Sequence, residues 1–497
     1  MFISNLPPLE RLSAMSSNDS KKLCVGLSLS PTWLRHQVGQ SSSNQPDTNP
    51  SNTNQSNDEI NDIYPAKFYI NLAQQAEQAG VDFVFKPDSL CLNLPETSNP
   101  LDCPLTPLLG MLDPTIIASM IATHTQHIGI VTTISTTFNE PYVVARQLMS
   151  LQWISQGRIG WNVVTSIDGF ENFGLEQMPD TKIRYAKASE FVAVVQQLWD
   201  SFIIADTDAH PNHSNIKQSP TDKQATQSHW VQINKIDHSG EYFKVAGPLN
   251  IPAYPYSKIA IFQAGASTIG RQFAASVADA IFAATPSLNS ALNLRLELHR
   301  LTHQTKQQSS YQKYYQKHQP QKNPPKLLSG LYFFIRDDES LAYQAYLQAH
   351  AHLDTAHRLQ KVFDIIGADF THKALTDTIT VNDLPNANTS DSQPVRSQTH
   401  AQLLRDYIKD NNPTLSQLLN RPEVISSGHW TVFGTTKQVV NHIITWAQQE
   451  AIDGFIALPG DEESLQRFFT ELMPYLVNQG YCYSSDENKT FNERISY

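Results

Sequence analysis

The chain of 497 residues predicts an α/β protein, a (β/α)8 TIM barrel with polar insertions. Three observations carry this expectation. Short β-branched and aromatic runs recur along the chain with helical patterns between them, which is the signature of parallel βαβ units. Eight such runs occur, the count of a closed barrel. The helical patterns show one apolar stripe each, as expected of helices covering a sheet.

In order, the strand candidates are residues 23–29, 82–85, 128–133, 159–164, 259–263, 280–283, 328–335 and 454–458. Phe191, Val194, Val195, Leu198 and Trp199 follow the i, i+3, i+4, i+7, i+8 spacing of a buried helix face, and Leu465, Phe468, Phe469, Leu472, Met473 and Leu476 do the same. Residues 40–58, 206–228 and 303–325 are dominated by Ser, Asn, Gln, Asp, Lys and Pro. They hold too little apolar surface to offset ordering, and read as loops or disordered insertions, with a recruitment surface as the alternative. A fourth segment, residues 377–398, reads as irregular and as part of a lid. The expected organisation is an N-terminal extension over residues 1–20, one barrel domain over 21–480 carrying the insertions, and a C-terminal tail over 481–497.

Forty per cent hydrophobic and 17% charged residues suit a large globular core. The net charge of −11 without a basic stripe argues against nucleic acid and anionic lipid as main partners. Residues 1–20 lack the apolar run of a signal peptide, and no later stretch reaches the ~18 apolar residues of a membrane span, so the expectation is a soluble, cytoplasmic protein. Cys24, Cys91, Cys103 and Cys482 form no CxxC pair or zinc spacing, so reduced thiols are expected. No histidine–carboxylate cluster has metal spacing.

Chemistry is expected at the C-terminal ends of the strands. In residues 157–166, GRIGWNVVTS, a β-branched run passes into polar residues, so Asn162 and Thr165 reach the barrel mouth, beside Thr133 and Ser135 of the preceding strand. Asp88 follows the second strand, as a ligand acceptor or as a turn carboxylate. The turn Gln263-Ala264-Gly265-Ala266-Ser267 leads from a strand into a helix, where glycine permits close approach and free N–H groups suit an anion. Tyr185, after Arg184 at a helix start, is a ligand contact or a packing staple. His36, in Trp33-Leu34-Arg35-His36, is an imidazole titrating near neutrality or a loop histidine bonded to backbone.

These segments occur in a fixed order with Ser135-Thr136-Thr137-Phe138-Asn139-Glu140-Pro141-Tyr142, Asn172-Phe173-Gly174, Arg184-Tyr185-Ala186-Lys187-Ala188, Gly240-Glu241-Tyr242-Phe243-Lys244-Val245 and Gly247-Pro248-Leu249-Asn250. Over residues 22–476 the ordered set resembles the bacterial-luciferase-like FMN-dependent monooxygenases, in the nitrilotriacetate / dibenzothiophene-sulfone / pristinamycin branch. The resemblance implies a two-component enzyme. A separate NAD(P)H:flavin oxidoreductase supplies FMNH2, which is used with O2 to oxidise a small organic substrate, in a homodimer or homotetramer. It further implies that Gly265, Ala266, Ser267 and Tyr185 hold the FMN phosphate, with Arg271 a weaker candidate, and that Asp88, Thr133, Ser135, Asn162 and Thr165 bind cofactor. His36 and Asn162 are the catalytic candidates. Thr181 stands where many relatives carry a histidine that touches flavin; it keeps a hydroxyl but cannot ionise. The missing Gly-x-Gly-x-x-Gly turn agrees with an external reductase. Alternatives are a flavin- or deazaflavin-dependent oxidoreductase of the same superfamily, and a non-catalytic flavin-binding protein.

Overall fold

Eight parallel strands close on themselves: β1 (Cys24–Ser28), β2 (Phe83–Lys86), β3 (Gly129–Ser135), β4 (Ile159–Val164), β5 (Ala260–Gln263), β6 (Ala280–Ala283), β7 (Lys326–Ile335) and β8 (Gly454–Pro459). Each pairs with the next, and β8 returns to β1 through Cys24↔Gly454 to Leu27↔Ala457. This computed structural model describes residues 22–29, 66–91, 112–205, 230–265, 267–308, 323–351, 353–385, 398–425, 428–484, 487 and 489–495. Helices α1 (Ala66–Gln78), α2 (Pro114–His124), α3 (Pro141–Ile154), α4 (Thr181–Trp199), α5 (Thr268–Val277) and α6 (Leu288–Gln308) alternate with the strands. The eight ring strands are those the sequence predicts.

The side-chain period of two divides each strand between two cores. Val84, Ile130, Ile134, Trp161, Val163 and Ile261 face the helices; Cys24, Phe83, Phe85, Val131, Ala260, Phe262, Ala280, Leu328 and Ile456 fill the barrel. Register and strand tilt stack the inward residues in layers drawn from alternate strands. Gly26, Val131, Phe262 and Leu328 form one layer, Phe85, Asn162, Phe282 and Ile456 the next, and Ser28, Thr133 and Gly330 the mouth. The interior is therefore apolar below and polar at the C-terminal end.

Three aspartates set the strands at the opposite end. Asp82, Asp279 and Asp453 each stand just before a strand, and their carboxylates accept the N–H of Val25 (2.7 Å), Ile261 (2.8 Å) and Leu327 (2.8 Å) on the neighbouring strand. The repeated device is written as VDFVF, ADAIF and IDGFI. Residues beyond 480 complete this end: Phe491, on the short helix Phe491–Ile495, packs against Phe83 and Phe262, and Arg494 pairs with the buried Asp82 at 2.9 Å.

Two regions depart from the expected pattern. Helix α6 runs to Gln308, into the stretch read as loop from residue 303. Leu298 and Leu301 anchor it, and the following Gln and Lys residues are good helix formers that continue it past its apolar stripe. A helical layer also lies between β7 and β8. Strand β7 is ten residues long. Its first half pairs with β6, and on the same edge its second half pairs with an added strand, Trp430–Gly434, through Leu331↔Trp430 to Ile335↔Gly434. Helices α7 (Glu339–Ala349), α8 (Thr355–Ile366) and α9 (Gln398–Asn411) build a separate core there with Phe334, Tyr346, Val362, Leu404 and Leu418. The described part of the expected lid, residues 377–385, is more regular than expected, with a capped 3-10 turn at Val381–Asp383 and a bridge from Thr378 to Thr414, and it is pinned: Ile379 is buried, its N–H donates to Pro413 O, and Lys373 pairs with Asp383 at 2.6 Å. Residues 40–58, 206–228, 309–322 and 386–397 lie outside the described residues.

Candidate functional site

The polar mouth is organised by one hydrogen-bond chain. Thr133 Oγ1 donates to Lys86 O at 2.8 Å, and Asn162 Nδ2 donates to Thr133 Oγ1 at 2.9 Å. Because the threonine proton is committed to a carbonyl, the asparagine must give its N–H to Thr133 and turn its carbonyl away. Asn162 Oδ1, buried, has no partner, and the same holds for Thr137 Oγ1 in the loop after β3. Buried polar atoms without a partner are rare, so this arrangement fits the polar edge of a bound molecule.

A second cluster tightens the loops after β3 and β4. Ser135 Oγ and Ser166 Oγ lie 2.7 Å apart, and Thr137 N–H donates to Ser135 Oγ at 3.1 Å. Arg184 crosses this cluster, donating to Ser166 O, to Pro179 O at 3.0 Å and to Thr181 Oγ1 at 3.0 Å. Burial holds its guanidinium below the ordinary arginine range. The Thr181 hydroxyl thus helps to orient Arg184. Thr165 follows β4 at the same face, half-buried.

The turn after β5 makes a cradle. Ser267 caps α5, its hydroxyl accepting the Gly270 N–H at 3.1 Å. A Cβ on Gly270 would stand 2.8 Å from Tyr185 Oη, 3.1 Å from Ser267 Oγ and 3.4 Å from the Gly265 Cα. Phenol, hydroxyl, glycine backbone and the first turn of a helix therefore converge as closely as they do only because Gly270 has no side chain. Such a set of donors fits a phosphate group. Tyr185 is braced there by the Phe273 ring at 5.6 Å. Arg271 faces elsewhere, paired with Glu297 of α6.

The Gly-Glu-Tyr-Phe motif is structural. Glu190 of α4 is fully buried and accepts the N–H groups of Glu241, Tyr242 and Phe243 at 2.9–3.1 Å, with His238 Nε2 at 3.0 Å. Gly240 is required because any Cβ there would overlap the Glu190 carboxylate. Burial opposes the charge, but the bonds from His238, Tyr242 and Phe243 outweigh it and hold the carboxyl below its usual range. This staple clamps the strands His238–Ser239 and Lys244–Val245 onto α4, which carries Tyr185.

Asp88 is half-buried beyond β2. Burial raises its pKa against the opposing pull of the Lys86 ammonium and the Ser89 N–H. Lys86 itself is buried, its Nζ donating to Pro87 O at 3.1 Å, and burial lowers its pKa while Asp88 and Asp113 pull it up. The candidates thus group as Thr133 with Asn162, Ser135 with Thr181 through Ser166 and Arg184, and Tyr185 with Gly265 and Ser267. His36 and Ala266 lie outside the described residues. Sequence reasoning took in Ser166 only as the end of the polar stretch 157–166, without a role, and passed over Gly270. The signal for Gly270 was available: a glycine three residues into a helix costs about 1 kcal/mol against alanine and calls for a reason. Among the described residues no helix is long and apolar enough to cross a membrane, and no group of three or more His, Cys, Asp or Glu side chains could hold a metal ion.

Comparison with known proteins agrees with this geometry. The luciferase-like monooxygenase family matches residues 45–452, to which the structure adds β1 and β8 as closing strands. Nitrilotriacetate monooxygenase component A of Aminobacter aminovorans is 30% identical over 437 residues, 86% of this chain and 89% of that one. N-acetyl-S-(2-succino)cysteine monooxygenase of Bacillus subtilis is 29% identical over 434 residues, with the same coverage. Among solved structures, the EDTA monooxygenase of Chelativorans sp. BNC1 superposes with a TM-score of 0.68 over 95% of this chain and 98% of that one, at 24% identity, which supports the fold. With its barrel closed by the predicted strands and its ordered motifs gathered at one end, the chain belongs to the luciferase-like monooxygenase family.

Proposed function

We propose that this flavin-dependent monooxygenase binds FMN in its reduced form, with the phosphate in the cradle of Tyr185, Gly265, Ser267 and Gly270 and the polar ring edge toward Asn162. The observation that carries this reading is the convergence at the start of α5, where the Tyr185 and Ser267 hydroxyls and the Gly265 backbone close in on Gly270 beside a helix N-terminus. Bound flavin supplies the electrons and the oxygen chemistry. The chain's own part is to hold it: Tyr185 and Ser267 fix one end, the Thr133–Asn162 chain presents an acceptor to the other, and the Ser135–Ser166–Arg184 cluster closes the loops above. Asp88, half-buried at the same end, is an acceptor for the flavin or for a small organic substrate.

The reducing equivalents come from a separate NAD(P)H:flavin oxidoreductase. Purified protein with FMN, NADH and oxygen is expected to consume no NADH until a reductase is added, and then to place labelled oxygen from O2 in a product. NADH-driven oxygenation by this chain alone refutes the two-component reading. Hydride transfer to substrate without label incorporation favours the alternative oxidoreductase.

A further inference from the structure

His429 stands at the mouth of the barrel although no barrel strand carries it. It immediately precedes the added strand Trp430–Gly434, which takes over the edge of β7 where β6 leaves it: Ala283 pairs with Ser329, and Trp430 with Leu331. Trp430 faces the helices, stacked on Trp446 with centroids 3.8 Å apart. His429, in the bend just before it, points the other way, into the mouth, where it meets residues of the barrel interior. The His429 ring lies parallel to Phe282 at 5.2 Å and 8°, and Phe282 meets Phe85 edge-on at 5.2 Å. Both phenylalanines belong to the layer of Asn162.

Gly330 shows that the placement is built into the fold. It lies mid-strand in β7, outside the left-handed backbone region, so no backbone requirement explains the glycine. A Cβ there would overlap His429 Nδ1 and approach Phe282 Cε2 to 2.8 Å. The strand gives up its own side chain in the mouth layer, and an imidazole delivered by the helical layer takes the space.

We propose that His429 is a catalytic imidazole of this site, relaying a proton as oxygen is reduced beside the bound flavin. This rests on the reading that reduced FMN occupies the mouth. When reduced flavin is oxidised by O2 without substrate, two electrons and two protons pass to oxygen and hydrogen peroxide leaves. His429 takes up one of those protons and returns it to the departing oxygen, with no net change in the protein. An imidazole among aromatic rings, at the level of Thr133 and over Asn162, suits that task because its ring nitrogens can accept a proton and give it up again.

The test uses His429→Gly, which opens a hole, His429→Phe, which fills it and keeps the stack on Phe282, and Gly330→Ala, which displaces the ring. Each variant is loaded with FMNH2 without oxygen and mixed with aerated buffer, and flavin reoxidation is followed by absorbance; binding of FMN and FMNH2 is titrated separately by fluorescence. The expectation is flavin affinity within about twofold of wild type, and reoxidation with peroxide release slowed at least about tenfold in all three. Added imidazole should restore the rate in H429G and leave H429F unchanged. Wild-type reoxidation in H429F, or slowed reoxidation in H429G that imidazole does not restore, overturns the proposal while leaving flavin binding intact. Should H429G fail to fold, H429F and Gly330→Ala decide by their rates. Failure of the wild-type chain to bind FMNH2 instead removes the functional reading, and this inference with it.

Discussion

Gly270→Ala separates stability from ligand binding by moving them in opposite directions. The substitution adds one methyl group at the third position of α5, where alanine is about 1 kcal/mol better than glycine as a helix former. In the protein without flavin the methyl meets only the end of a phenol, at 2.8 Å from Tyr185 Oη, and a hydroxyl at 3.1 Å. Tyr185 must give way by a few tenths of an ångström, and its ring is held against Phe273, so the stability gain should be partly offset, leaving the melting temperature equal to or slightly above that of wild type. The displaced Tyr185 hydroxyl nevertheless leaves its place beside Ser267, and with it the contact proposed for a phosphate oxygen. Losing one hydrogen bond to a charged group costs ~1.5–3 kcal/mol, roughly a ten- to hundredfold weaker Kd for FMN. Riboflavin, which lacks the phosphate, should bind Gly270→Ala and wild type alike. Isothermal titration with both flavins, paired with a thermal melt, provides the readings. Equal losses for FMN and riboflavin, or an unchanged FMN affinity, would show that the phosphate lies elsewhere.

Three further outcomes follow from the same geometry. Glu190→Ala removes the acceptor of three N–H groups and should destabilise the fold by about 2–4 kcal/mol in urea melts; a loss below ~0.5 kcal/mol would mean the staple is dispensable. Because the Glu190 carboxyl is held below its usual range in the folded state, its contribution is present above the unfolded pKa near ~4.3 and is lost as pH falls through the lower folded value, so the variant should lack that part of the acid-induced loss. Arg494→Met leaves Asp82 buried beside Val25 N–H without its cation, and should cost about 3–5 kcal/mol while leaving the relative affinities for FMN and riboflavin unchanged; a shift in that ratio would tie the bottom of the barrel to the site.

The parts of this protein legible in its sequence are those governed by neighbours along the chain. Eight strand runs, the apolar stripes of α4 and of residues 465–476, and the strand–turn–helix element around Gly265 each depend on a local period or on turn chemistry, and all appear where they were read. The VDFVF, ADAIF and IDGFI repeat was equally written in the chain, but its meaning depends on the strand beside it. What tertiary structure decided is which distant residues meet. Asn162 becomes a committed acceptor only because Thr133 gives its proton to Lys86 O. Thr181 turns to Arg184, and Gly270 lets a tyrosine from another helix approach the Ser267 cap closely. His429 is the extreme case. Its place over Gly330 requires β7 to outrun β6, a helical layer to fold on the surplus edge, and the chain to return in parallel register nearly a hundred residues later. No local periodicity carries that information, because strand length, barrel tilt and register are set by packing between elements that are far apart along the chain.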